Sequence, residues 1–128
     1  MHRCRLNAYG TELDIDLIHQ ATALPFDGDV ATAGCWITDP APHPSASALD
    51  DAWSAVAADL FTFLIHHRDA VTRLGRTPGV RALAIEIHGP VPDLACLPAD
   101  LVGLAAEFGL GVCISPQTPG DSAFPRRR

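Results

Sequence analysis

The feature that most constrains this chain is a stripe that runs from Leu49 to Leu74. Leu49, Trp53, Val56, Leu60, Leu64, His67, Val71 and Leu74 recur at spacings of three and four residues, so they share one side of a helix. At 1.5 Å per residue that helix would be about 39 Å long, close to the width of a small domain. So long an apolar seam demands a surface to lie on, and the rest of the chain must supply it.

Short alternating segments do so. Cys4, Leu6 and Ala8 alternate with Arg5, Asn7 and Tyr9, which predicts a strand over residues 3–9. Val80–His88 is the clearest strand, with Leu83, Ile85 and Ile87 on one face and Ala82, Ala84, Glu86 and His88 on the other. Two weaker strands are expected, Gly34–Asp39 and Leu110–Ser115, with room for a hairpin within Val30–Asp39. In the last strand Leu110, Val112 and Ile114 alternate with Gly111, Cys113 and Ser115.

Helices fall between these strands. Thr11 or Asp14 caps a short helix that ends near Ala23, its packing face formed by Leu13, Leu17, Ile18 and Ala21. Pro40, Pro42 and Pro44 form an extended connector, and Ser47 with Asp50 has the spacing of a capping box before the long helix. Phe61, Phe63 and Ile65 widen the long helix's apolar surface, either to cross a sheet or to meet a second copy. Pro98 starts a further helix that packs through Leu101, Leu104, Ala105 and Phe108.

The expected order is β-α-β-α-β-α-β, an α+β fold built as a two-layer α/β sandwich of the ferredoxin-like kind. A doubly wound three-layer sheet is the alternative, but 128 residues leave little material to cover both faces. Residues 1–115 are expected to form a single compact domain, and 116–128, rich in proline, serine, glycine and arginine, a flexible tail.

Composition bears on partners. Fifteen acidic and nine basic residues give a formal charge of −6. All nine basic residues are arginines, and setting aside Arg126, Arg127 and Arg128 leaves −9 on the body, which repels a phosphate backbone and argues against nucleic acid. There is no leader-like apolar run and no stretch long enough to span a membrane, so a cytoplasmic protein is expected. Cys4, Cys35, Cys96 and Cys113 are widely spaced and read as buried thiols of a reducing compartment.

One set of elements carries a resemblance. Cys4–Gly10, the acidic opening Glu12-Leu13-Asp14-Ile15-Asp16, the short Gly34-Cys35-Trp36, the Leu49–Leu74 helix and the closing Leu104-Ala105-Ala106-Glu107-Phe108-Gly109-Leu110 resemble the uncharacterised bacterial domain-of-unknown-function family 4279. The resemblance spans about residues 3–115 and departs from the family in a shorter, less strand-like stretch between Phe26 and Pro44. It implies a small cytoplasmic α+β domain without assigned catalytic residues, associated with toxin-immunity or other bacterial defence neighbourhoods.

The residues that carry chemistry are few. Glu86 and His88 leave the same strand face about 6 to 7 Å apart. If Cys113 lies on a neighbouring strand, the three form a Cys/His/Glu set suited to zinc, with Glu86 as proton acceptor and His88 as donor or ligand in a metal-assisted hydrolase. His66 and His67 point about 100° apart, and His19 and His43 have no close partners, so none makes a natural chelating pair. Asp14 with Asp16 and Asp27 with Asp29 are accounted for by capping and turns. No GxGxxG, Walker loop, HExxH or GxSxG occurs, and no cofactor is expected. The favoured reading is a non-enzymatic, immunity-like protein-binding domain that uses Arg5, Asn7, Tyr9, Glu86 and His88, with a homodimer-forming structural protein and the hydrolase as alternatives.

Overall fold

A computed structural model describes residues 2–37 and 49–116. The proline connector, its Ser47 capping box, His43 and the expected tail beyond Pro116 lie outside the described residues. The elements are β1 (Arg3–Gly10), α1 (Ile15–Thr22), β2 (Asp27–Gly28), β3 (Thr32–Trp36), α2 (Leu49–His66), α3 (Arg68–Arg76), β4 (Val80–His88), α4 (Ala99–Glu107) and β5 (Leu110–Ser115). The strands form one mixed sheet in the order β2-β3-β1-β4-β5. The first three pairings are antiparallel, and β4 and β5 run parallel, joined by the α4 crossover.

The pleat determines which residues face the helices. Cys4, Leu6 and Ala8 of β1, Ala33 and Cys35 of β3, and Leu83, Ile85 and Ile87 of β4 point to one side. There they meet Ile18 of α1, Trp53, Val56, Leu60 and Leu64 of α2, Val71 and Leu74 of α3, and Leu101 and Leu104 of α4 in one core. The result is a two-layer α/β architecture. Phe61 and Phe63 pack against this core, whereas Ile65, the third member of the widened apolar face, is exposed.

Several expectations need correction. The single helix over 49–74 is two. His67 leaves helical geometry at φ −112° and ψ 27°. His67 N–H still donates to the Phe63 carbonyl, and Val71 N–H to the His67 carbonyl, both at 2.9 Å, so Val71 and Leu74 stay in phase.

The order also gains a strand. A hairpin joins Asp27–Gly28 to Thr32–Trp36, in place of one strand over 34–39. Its turn is built by Asp29, whose carboxylate accepts from Ala31 N–H at 2.8 Å and Thr32 N–H at 3.0 Å. These bonds hold the Asp29 carboxyl below its ordinary pKa.

In α1, Asp14 is the cap, accepting from Asp16 and Leu17 N–H. Ile18 and Thr22 fill its buried side, and Leu17, about 100° away, is exposed. Pro98 is the N-cap of α4 and not its first helical residue. Two of the four thiols, Cys96 and Cys113, are exposed, because Cys96 lies in the loop before α4 and Cys113 on the side of the outermost strand away from the described helices.

Candidate functional site on the open sheet face

The side of the sheet away from the helices takes the other half of every alternation. On β1 these are Arg3, Arg5, Asn7 and Tyr9, on β3 Trp36 and Gly34, on β4 Ala82, Ala84, Glu86 and His88, and on β5 Gly111, Cys113 and Ser115. Because β1 lies between β3 and β4, Arg5 has Trp36 on one side and Glu86 on the other, and Arg3 faces His88. All five residues expected to meet a partner therefore share one surface.

They are joined by hydrogen bonds. Arg5 Nη2 donates to Asp27 Oδ1 at 2.6 Å, and Arg5 Nε donates to Asn7 Oδ1 at 3.1 Å. Asn7 Nδ2 donates to the Tyr9 hydroxyl at 3.2 Å, which in turn donates to Glu86 Oε2 at 3.3 Å. The chain ends at His88, whose Nε2 lies 3.1 Å from Glu86 Oε1. A carboxylate only accepts, so this contact selects the tautomer with the proton on Nε2.

Asn7 is the hub. It is only 3% exposed although it faces away from the core, because Arg5 and Tyr9 lie over it. Its cross-strand neighbours are the small Gly34 and Ala84. A Cβ at Gly34 would collide with both Arg5 Nε and Asn7 Oδ1, so a larger residue there would displace these side chains from each other.

Aromatic contacts close one end of the face. The Arg3 guanidinium lies 4.1 Å and that of Arg5 5.0 Å from the Trp36 ring centroid. The His88 ring meets Trp36 edge-on at 5.6 Å. Two arginines balance Asp27 and Glu86, so this surface is close to neutral, whereas Asp16, Asp50, Asp51, Asp59, Asp69, Asp100 and Glu107 ride on the helices. Burial pushes the Tyr9 phenol above its ordinary pKa, and the negative charge of Glu86 adds to that shift, so the hydroxyl remains a donor at neutral pH.

Sequence reasoning had not singled out Arg3, Trp36 or Asp27 for this site. Arg3 was legible as the next member of the Arg5, Asn7, Tyr9 alternation. Trp36 and Asp27 depended on knowing that β3 pairs with β1.

The hydrolase set comes together only in part. Cys113 is the cross-strand neighbour of Glu86, on the same face. Yet among the described residues no group of three or more His, Cys, Asp or Glu side chains is placed to hold a metal ion. His88 and Glu86 engage each other, and Ser115, not Cys113, stands opposite His88. His66 is exposed, and His67 stacks on Phe63 with ring centroids 4.5 Å apart.

Away from this face, a hollow of about 620 Å³ lies between the start of α2 and the loop before α4, beside Trp53, Val91 and Leu94. Trp53 Nε1 donates to the Cys96 carbonyl there. Buried His2, edge-on to Trp53, reaches the Pro90 carbonyl through Nε2 at 2.7 Å. No described helix is long and apolar enough to cross a membrane. No family model, curated protein or solved structure matches this chain.

Proposed function

We propose that this protein is a non-enzymatic binding domain whose open sheet face receives another protein. The observation that carries this reading is the hydrogen-bonded chain from Asp27 to His88, which holds Arg5 and Tyr9, with Trp36 packed against Arg3, Arg5 and His88, on a face that no described helix covers. Those three residue types dominate protein interfaces because each combines large contact area with a polar group. Side chains already held lose less conformational freedom when a partner arrives. Charge balance at the face favours a partner that offers matched donors and acceptors over a uniformly basic one.

The strand order β2-β3-β1-β4 supports a ferredoxin-like plan with α4 and β5 appended at one edge. The immunity-like role in a bacterial cytoplasm that a resemblance to domain-of-unknown-function family 4279 would imply is part of this proposal, with the partner a protein held inactive.

The test is affinity capture from an extract of the native source, followed by calorimetry with the purified partner. Tyr9→Ala and Glu86→Ala should weaken the complex at least tenfold, and Ile65→Ala, a change on the opposite layer, should leave it unchanged. An unaltered affinity in both face variants removes the face from the interface.

A second reading, metal-assisted hydrolysis, draws on the Glu86–His88 contact. Its test is hydrolytic turnover, with and without added zinc, that disappears in His88→Ala. Such turnover with no reproducible partner would replace the binding reading.

A further inference from the structure

The two edges of the sheet are built differently. One ends in β2, two residues long, with the Asp27 carboxylate beside it and the Asp29 turn closing it. Shortness and charge are the usual protections against stray pairing. The other edge is β5, six residues long, bonded to β4 on one side and to no strand on the other among the described residues. Leu110–Ser115 contains no charge and no proline. On its helix-facing side, Val112 and Ile114 remain 36% and 43% exposed, because α4 covers Leu110 but not them.

We propose that β5 is the dimer interface of this protein, pairing antiparallel with β5 of a second copy about a two-fold axis at Cys113. The register follows from the strand's own pattern. If both helix layers lie on one side of the joined sheet, residues must meet partners of the same parity. Centring on Cys113 sets Val112 against Ile114 of the second copy, Ile114 against its Val112, and Gly111 against its Ser115. Each exposed β-branched residue thus covers the other, a favourable cross-strand pair, and no charges meet. A strand that satisfies itself in this way identifies the occupant as another copy of the same chain.

The joined sheet has ten strands and presents both open faces on the same side. A partner with two sites would then gain from their linkage. The dimer itself does not rest on the reading of that face as a protein-binding surface, because Arg5, Asn7, Tyr9, Glu86 and His88 lie on β1 and β4 and take no part in the pairing.

Sedimentation of the full chain from micromolar to millimolar concentration should show a monomer–dimer equilibrium. Ile114→Lys places like charges near the axis and removes two cross-strand contacts, and should weaken dimerisation about tenfold or more. Because Ile114 is exposed, its variant keeps its circular dichroism spectrum and, at concentrations where both proteins are monomeric, its urea midpoint, which separates lost pairing from lost folding.

The register is read chemically. Cross-strand Cα atoms lie about 4.5 to 5.5 Å apart, within the range a disulfide accepts. In a Cys96→Ser background, glutathione disulfide should oxidise two Cys113 thiols to one intermolecular disulfide, releasing two glutathione molecules. The covalent dimer should be absent from Cys96→Ser/Cys113→Ser and from Cys96→Ser/Ile114→Lys.

A monomer at every concentration overturns the proposal. If the amides of β5 that do not bond β4 resist hydrogen exchange in that monomer, another segment of the same chain covers the edge. A dimer indifferent to Ile114→Lys places the interface elsewhere, and one that Cys113 does not link refutes the register.

Discussion

Leu64→Ala tests the packing that the whole fold depends on. Leu64 is 0% exposed, on the α2 seam that faces the sheet. Removing three carbons from such a site costs about 2.4 kcal/mol in transfer free energy, at about 0.8 kcal/mol each. An unfilled hollow of about 50 Å³ adds about 1.2 kcal/mol, at roughly 24 cal/mol per Å³. Alanine favours the helix slightly over leucine, so helix propensity cannot produce a loss. The expected destabilisation is about 3.5 kcal/mol, a large part of the roughly 5 to 15 kcal/mol that holds a domain of this kind folded.

The neighbouring Ile65, 41% exposed, provides the control. Ile65→Ala sits on the same helix but outside the seam, and should cost under about 1 kcal/mol. Urea unfolding followed by circular dichroism gives both values. The fluorescence of Trp53, buried in the core, supplies a second probe. Equal losses in the two variants, or a Leu64→Ala loss below about 0.5 kcal/mol, would mean that the long helix does not lie on the sheet through this seam. Leu60, 1% exposed, should behave like Leu64.

Other outcomes follow from local geometry. Asp14→Ala removes the acceptor for Asp16 and Leu17 N–H and should cost about 1 kcal/mol in the same unfolding assay, while Asp14→Asn restores most of it. Gly34→Ala pushes Arg5 away from Asn7 and should shift amide resonances across β1 and β3 while those of α2 stay in place; an unshifted Asn7 side-chain amide would contradict the close approach. Thiol titration of the native protein should find Cys96 and Cys113 reacting rapidly and Cys4 and Cys35 only on unfolding, and rapid reaction of all four would contradict the core.

Stability should fall in alkali. Burial raises the Cys35 thiol above its ordinary 9.0 and the Tyr9 phenol above 10.0, so the unfolded chain releases these protons first. The contribution is complete below about pH 9 and declines as pH rises through those values. Tyr9→Phe should flatten the upper part of the decline in urea midpoints measured across that range, and an unchanged slope would exclude the phenol as its source.

What the sequence determined by itself was the side on which each residue stands. A period of two sorted Cys4, Leu6 and Ala8 from Arg5, Asn7 and Tyr9, and Leu83, Ile85 and Ile87 from Glu86 and His88, and the structure keeps both sortings. A period near 3.6 located the seam from Trp53 to Leu74, and the Asp14 cap was legible because capping is local chemistry.

What only the tertiary structure decided was adjacency and reach. Alternation says nothing about which strand lies beside which, so the placement of β1 between β3 and β4, which brings Tyr9 to Glu86 and Arg5 to Trp36, could not be read from either segment. Nor does periodicity say how far a helix layer extends. Leu110, Val112 and Ile114 carry the same pattern, but only Leu110 lies under the helices. The division at His67 is likewise absent from the periodicity, which runs on through it; only the backbone there, at φ −112° and ψ 27°, separates the two helices.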